Sequence, residues 1–355
     1  MFFRSVTNWI RRTKDWTHWP HYLFYFPVAI PWLGYYIKSR SPWFFTSANP
    51  TMKFGGFEGE GKRMIYEHLP GRYCPKSLFI TPHESFDIIK EKLSTAGFTF
   101  PFIVKPDVGM KGLLFRKIEN ICQLEKYHQA MPADYIIQEF LDQTEEVSIF
   151  YCRMPNTVKG EITAMIRKIL PVIVGDGEST TEQLVAYHPN ASVGKAFFEK
   201  QLGILWKTVL PKGEKLHLSH VANLVHGAYF EDLREFITPD ITELFDEISH
   251  QSHFYYGRYD IKCNSVADLR KGGPFYILEF NGAGSVPNHV FAGSYSLIGA
   301  YKEIVRHWNW MYKISEHNHN NGHPRWSLQK GQVFQAQSRK HFNILKRLDK
   351  ELVLQ

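Results

Sequence analysis

Between Phe98 and about Lys313 short apolar runs alternate with amphipathic stretches, the order an α/β or α+β domain shows. Phe102–Val104 reads as a strand ending at Lys105. Tyr135–Ile137 reads as another that reaches Glu139, and Glu145–Glu146 open a third. The loop Asp107–Gly112 is predicted to lead into a strand over Gly112–Ile118. In YYGRYDIK, strand alternation puts Arg258, Asp260 and Lys262 on one face, opposite Tyr259 and Ile261. In YILEFNGAGS it groups Glu279 with Asn281 and turns Leu278 and Phe280 to the core. A helix is expected near Glu84–Thr95, a polar loop over EHNHNNGHP, and a basic amphipathic helix around Val333–Leu352.

These patterns divide the chain into four zones. An aromatic leader covers 1–45 and a short Gly- and Pro-containing region covers 46–97. The main domain covers 98–313, and the polar loop with its basic helical tail covers 314–355. Trp16 to Ile37 carries no Lys, Arg, Asp or Glu, yet Pro20, Pro27, Pro31 and Gly34 interrupt it. Three readings of the leader stand: packing on the body, lying in a membrane interface, or spanning a bilayer. No small-residue cleavage site follows it, which argues against a signal peptide.

Composition narrows the class. Across 355 residues, 44% hydrophobic and 22% charged content is that of a globular protein rather than a disordered or fibrous one. The net charge of +7 suits anionic partners without choosing among them. A nucleic-acid binder is not expected, because no basic stripe is interleaved with stacking aromatics. The cysteines Cys74, Cys122, Cys152 and Cys263 have no metal-ligand or CxxC spacing, as reduced thiols of a cytoplasmic protein would. His317, His319 and His323 sit among Asn and Gly and read as a solvated loop. GFEGEGKR, Gly56–Arg63, mimics a P-loop, but Arg63 stands where Ser or Thr should bind Mg²⁺ and no apolar strand precedes it. A structural or substrate-side glycine turn is the expectation there.

Three segments carry chemistry. A strand-borne Lys105 beside a glycine-containing loop sets one cation and several N–H groups around a polyphosphate; an exposed hairpin with an incidental lysine is the plain alternative. In DYIIQEFLDQTEEVSIFY, an apolar hinge can read adenine and a carboxylate soon after can hold ribose hydroxyls; a surface hairpin is the alternative. On two neighbouring antiparallel strands, Asp260, Glu279 and Asn281 make an all-oxygen cluster of the kind Mg²⁺ takes.

Together these residues resemble the ATP-grasp superfamily over nearly all of Phe98 to about Ile298. The resemblance implies an α/β (α+β) fold of two lobes gripping ATP. Lys105, with Gly109 and Gly112 in IVKPDVGMKG, is similar to its phosphate-binding lysine and glycine loop. Glu139, Phe140 and Leu141 match the adenine hinge, and Glu146 the ribose-binding glutamate. Asp260, Glu279 and Asn281 match the metal ligands, and Arg258 the arginine near the reacting carbonyl. ITAMIRKILPVIVGDGESTTEQLV and HVANLVHGAYF resemble the central parts of cyanophycin synthetase and the fused bacterial glutathione synthetases. There Arg167 corresponds to a phosphate-reaching arginine, and Asn223 with Gly227 to the phosphate-covering loop. This chain departs at Gly227–Ala228, where two glycines are usual, and at His226. It departs again at VPNH, Val286–His289, where D-alanine–D-alanine ligases carry Pro-Gly-Met-Thr, and D-alanine is not implied as substrate.

The resemblance implies a ligase that uses ATP and Mg²⁺, with Mn²⁺ as the alternative ion. It would activate a small-molecule carboxylate as an acyl phosphate and join it to an amine, with Lys105, Arg167 and Arg258 assisting. Loops Asp107–Gly112 and Ser219–Phe230 would close over the nucleotide. His220, His226, Asn288 and His289 are the substrate-side candidates. A catalytically inactive, membrane-associated nucleotide-binding protein is the competing reading. A peripheral membrane contact and a homodimer are left open.

Overall fold

The computed structural model describes residues 16–188, 191–218, 227–293 and 295–354. The leader forms two helices, α1 (His21–Tyr25) and α2 (Ala29–Ser39), and α3 (Lys62–His68) follows the glycine turn. An antiparallel sheet of order β1-β4-β2-β3 makes the smaller lobe, from β1 (Ser77–Ile80), β2 (Phe102–Pro106), β3 (Arg116–Ile118) and β4 (Tyr135–Glu139). Helices α4 (Phe86–Thr95) and α5 (Ile121–Ala130) cover it. Both are capped where the sequence stops favouring extension: Ser85 and Asn120 accept from the N–H groups of Ile88 and Gln123. β1, which precedes residue 98, pairs with β4 along its length.

The larger lobe is a five-stranded antiparallel sheet of order β11-β10-β5-β6-β9. Its strands are β5 (Glu145–Cys152), β6 (Glu161–Ile169), β9 (Tyr229–Asp232), β10 (Tyr256–Cys263) and β11 (Phe275–Asn281). A two-stranded ribbon of β7 (Val172–Val174) and β8 (Lys215–His217) packs with α6 (Thr181–Tyr187) and α7 (Lys195–Leu202) as a satellite. Alternation along β5 explains both faces of the sheet. Val147, Ile149 and Tyr151 meet Ile241, Phe245 and Ile248 of α8 (Pro239–Ser252). Phe150 and Cys152 point the other way, into a second core with Phe44, Phe45, Met311 and Ile314. Glu146 and Ser148 share that second face, where the apolar cover stops. A short helix, α9 (Val266–Arg270), bridges β10 and β11.

Helix α10 (Leu297–Asn320) runs through most of the predicted polar loop. Buried tertiary bonds override its Asn- and His-rich sequence. Ser315 donates to the Phe44 carbonyl, and Asn318 Nδ2 to the Ser47 carbonyl at 2.9 Å. Only residues 321–327 remain as a turn before α11 (Leu328–Glu351), whose Leu345 enters the small-lobe core. The strand expected over Gly112–Ile118 begins only at Arg116, because Lys111, Gly112 and Leu114 adopt positive φ. The leader packs inward through Phe24, Val28, Trp32 and Tyr35. Among the described residues no helix is long and apolar enough to cross a membrane.

Candidate active site

β10 and β11 pair with Arg258 opposite Asn281 and Asp260 opposite Glu279. Directly paired residues share a face, so all four side chains rise on one side of the sheet. The register slips just past Asp260, where Ile261 pairs with Ile277 and Leu278 is skipped. That bulge accounts for one corrected expectation. Leu278 lines the cavity beside Glu279 instead of entering the core.

Asp260 is the hub. It is 4% exposed and accepts from Ser148 Oγ, from Arg258 Nε at 3.0 Å and from Asn281 Nδ2 at 3.1 Å. Lys168 Nζ lies 3.1 Å from Asp260 Oδ1 and 2.7 Å from Glu146 Oε1. Burial opposes ionisation of Asp260, but Arg258 and Lys168 prevail and hold its carboxyl well below the usual range.

Lys105 approaches from the other sheet. Its Nζ donates to Gln138 Oε1 at 3.1 Å, while Gln138 Nε2 donates to Tyr66 Oη at 2.9 Å. Tyr66 in turn donates to the Leu278 carbonyl at 2.8 Å, so one polar chain ties the small-lobe lysine to β11. Burial, with Lys62 alongside, lowers the Lys105 amine to about 7.

These groups line one cavity of about 810 Å³ between the sheets. Its wall also holds Gly109, Gly112, Glu146 and Lys62, the lysine of the false P-loop. The glycine turn ahead of Lys62 is pinned to the end of β11. Ala283 and Gly284 donate to the carbonyls of Gly55 and Gly56, both at 3.0 Å. A Cβ on Gly284 would stand 1.9 Å from the Phe57 carbonyl oxygen, so that contact needs glycine. Among the described residues the wall carries no cysteine or histidine and balances Lys62, Lys105, Lys111, Lys168 and Arg258 against Glu58, Glu60, Glu146, Asp260 and Glu279.

Two antiparallel sheets thus grip one cavity, with a strand-borne lysine on the first and paired Arg/Asp and Glu/Asn strands on the second. This is the arrangement expected from the resemblance to ATP-grasp proteins. No protein-family model matches the chain. Over 166 residues it is 25% identical to the glutathione biosynthesis bifunctional protein GshAB of Streptococcus mutans serotype c. That match takes in 41% of this chain and 21% of the relative. Similar solved structures include a bifunctional glutathione synthetase from Pasteurella multocida, at 16% identity and a TM-score of 0.40. Here 73% of this chain meets 38% of that one, so the chain spans well under half the length of both relatives. A D-alanine–D-alanine ligase from Bacillus anthracis has 14% identity and a TM-score of 0.39, over 71% of this chain and 68% of that one. The VanG D-Ala:D-Ser ligase of Enterococcus faecalis has 9% identity and a TM-score of 0.41, over 73% and 62%.

Of the residues singled out in the sequence, Lys105, Gly109, Gly112, Glu146, Arg258, Asp260, Glu279 and Asn281 come together on the cavity wall. Arg167 does not. It stands opposite Val147 on the reverse face of β6, with Nη1 2.6 Å from Glu231 and Nη2 3.2 Å from Glu145. Its neighbour Lys168, opposite Glu146, lies on the cavity wall in its place. The alternation of β6 against β5 is the signal that would have found it. Glu139, Phe140 and Leu141 lie outside the wall. The Glu139 carboxylate accepts from the Lys76 N–H at 2.7 Å, and Phe140 lies half-exposed under Lys117. Lys262 donates to the Leu141 carbonyl at 3.0 Å, tying that hinge to β10. Asn288 lines the cavity, but His289 is buried against Glu303 at 3.0 Å. Asn223, His220 and His226 lie outside the described residues, as does most of the loop Ser219–Phe230.

Proposed function

We propose that the chain is an ATP- and Mg²⁺-dependent ligase that activates a carboxylate as an acyl phosphate and joins it to an amine. The observation that carries this reading is the convergence of Lys105, Lys168 and Arg258 with Asp260, Glu279 and Asn281 on one cavity wall. The donor set fits the ion: carboxylate and amide oxygens only, with neither thiolate nor imidazole among the described wall residues. Asp260, Glu279 and Asn281 would hold Mg²⁺, which when bound offsets phosphate charge; Mn²⁺ would suit the same donors.

Phosphoryl transfer depends on positioning and charge neutralisation. Lys105 and Lys168 would hold the phosphates from opposite sheets. Arg258, fixed by Asp260 and by the Val286 carbonyl at 3.2 Å, would stabilise negative charge on the reacting carbonyl oxygen. The glycine loop before β3 would shut water away from the acyl phosphate, whose hydrolysis would waste it. The small-molecule carboxylate and amine are classes rather than identified compounds.

The test is ADP and phosphate release by purified protein against a panel of carboxylates paired with amines. Release that requires both partners supports the ligase. The competing reading, an inactive nucleotide-binding protein, requires Mg·ATP to raise the melting temperature while no pair releases ADP. Absence of any Mg·ATP stabilisation would sink both.

A further inference from the structure

The leader is apolar on two sides, and the described protein covers only one of them. Phe24, Val28, Trp32 and Tyr35 point inward; Phe24 meets Tyr301 with ring centroids 5.5 Å apart, and Tyr35 stacks on Tyr312 at 4.9 Å. Tyr22, Leu23, Phe26, Ile30, Leu33 and Ile37 form the opposite stripe, at i, i+3, i+4 and i+7 spacing. Each is at least half exposed, with Phe26 at 78% and Ile30 at 77%. A surface helix ordinarily keeps its outer face polar, and a contiguous bare apolar strip marks an interaction site.

Charge identifies what covers it. From 16 to 37 there is no Lys, Arg, Asp or Glu, and the stripe residues Tyr22, Leu23, Phe26, Ile30, Leu33 and Ile37 are all uncharged, so the stripe itself can enter an apolar medium without burying charge. Its rim is cationic. Lys38 and Arg40 are exposed at the end of α2, and Lys302 and Lys313 are exposed on α10 next to the tyrosines that hold the leader. Two copies meeting through this face would bring like-charged rims together, whereas an anionic surface attracts them. Trp19, Tyr22 and Tyr36 add amphipathic rings of the kind favoured at a headgroup boundary. Helix α2, at 11 residues, is about 16 Å long, against roughly 30 Å of hydrocarbon, so it would lie flat on the surface.

We infer that this face docks the protein on an anionic lipid surface as a monotopic contact. The same segment walls the active cavity through Trp19, Pro20 and Phe24, so docking sets the cavity's leader end beside the bilayer. The inference does not depend on the ligase reading, since it concerns the outer face of α1 and α2.

Flotation of the full chain with vesicles tests it. Wild type should float with phosphatidylglycerol–phosphatidylcholine vesicles and at least about tenfold less with phosphatidylcholine alone or in high salt. The double variant F26E/I30E should reduce flotation at least about tenfold while keeping the melting temperature and any Mg·ATP shift of the wild type. Wild-type protein that stays down with anionic vesicles overturns the inference. A wild-type dimer that F26E/I30E converts to monomer, without lipid binding by either, also overturns it and assigns the face to a second copy.

Discussion

Lys168 and Asp260 are 3.1 Å apart at the centre of the cleft, and Glu146 holds the same ammonium from the other side at 2.7 Å. Burial opposes the charge on Lys168, yet the two carboxylates raise its amine above the ordinary value. Arg167, one residue earlier, has its ion pairs on the reverse face at 28% side-chain exposure. Lys168→Met is therefore expected to lower ADP formation at least about a hundredfold, as loss of a preorganised phosphate contact does. Arg167→Ala should leave turnover within about threefold and cost no more than about 1 kcal/mol of stability. Steady-state kinetics of the two variants decide it; the reverse ranking would return the phosphate role to Arg167.

How far the sequence carried is visible in these two neighbours. The paired strands were legible because alternation alone puts Arg258 with Asp260 and Glu279 with Asn281, and the register agrees. Lys168 was missed because a motif match fixes position along a chain, whereas the face a side chain takes depends on the partner strand. Leu278 was misplaced because nothing local announces the bulge beside Ile261. The Asn- and His-rich end of α10 read as loop because the bonds that hold it helical come from Phe44 and Ser47, some 270 residues away. The four-bond clasp made by Asn49 has no sequence signature either.

That clasp gives a second prediction. Asn49 is fully buried and donates through Nδ2 to the Tyr256 carbonyl at 2.8 Å and the Gly55 carbonyl at 3.2 Å. Its Oδ1 accepts from the N–H groups of Tyr255 and Tyr256 at 2.9 and 3.1 Å. One side chain thus fixes the glycine turn, and Lys62 beyond it, against β10. Asn49→Ala would leave several buried backbone groups unpaired, at a cost of about 3 kcal/mol or more. Urea unfolding measures it; a loss below about 1 kcal/mol would show that water satisfies those groups instead.

Lys105 yields a proton-linked prediction. With the amine lowered to about 7 by burial and by Lys62, Lys105 itself is largely uncharged above that pH. A phosphate beside it favours the ammonium, so nucleotide binding should take up a proton. Uptake should rise from about 0.1 proton at pH 6 to about 0.9 at pH 8 from this group. Calorimetry of Mg·ATP binding in buffers of different ionisation enthalpy reads it directly. Lys105→Met should abolish the rise, and an unchanged profile in that variant would place the titration elsewhere.

The buried group formed by His289, Glu303 and His307 gives the last prediction, on acid stability. His307 Nε2 lies 2.8 Å from Thr163 Oγ1, and its Nδ1 lies 2.9 Å from the Glu303 carbonyl oxygen. Burial, and then His289 beside it, lower the His307 imidazole to about 3. Burial raises the Glu303 carboxyl, but bonds from His289 and Arg306 outweigh it and bring the group down to about 2. For His307 the folded chain binds its proton far more weakly than the unfolded chain, which titrates near 6.5. The unfolded state therefore holds more protons everywhere between those values, and stability falls as pH drops below about 6.5. At about 1.4 kcal/mol per pH unit, moving from pH 6.5 to pH 5 should cost about 2 kcal/mol from this residue. Glu303 adds its own loss only below its ordinary value of 4.5, so it does not contribute in that window. His307→Gln keeps a partner for Thr163 and removes the titration. Urea unfolding at pH 6.5 and pH 5 should then show a difference about 2 kcal/mol smaller than in wild type. Equal differences in the two proteins would mean that His307 is already protonated in the native state, held by Glu303 rather than excluded by burial.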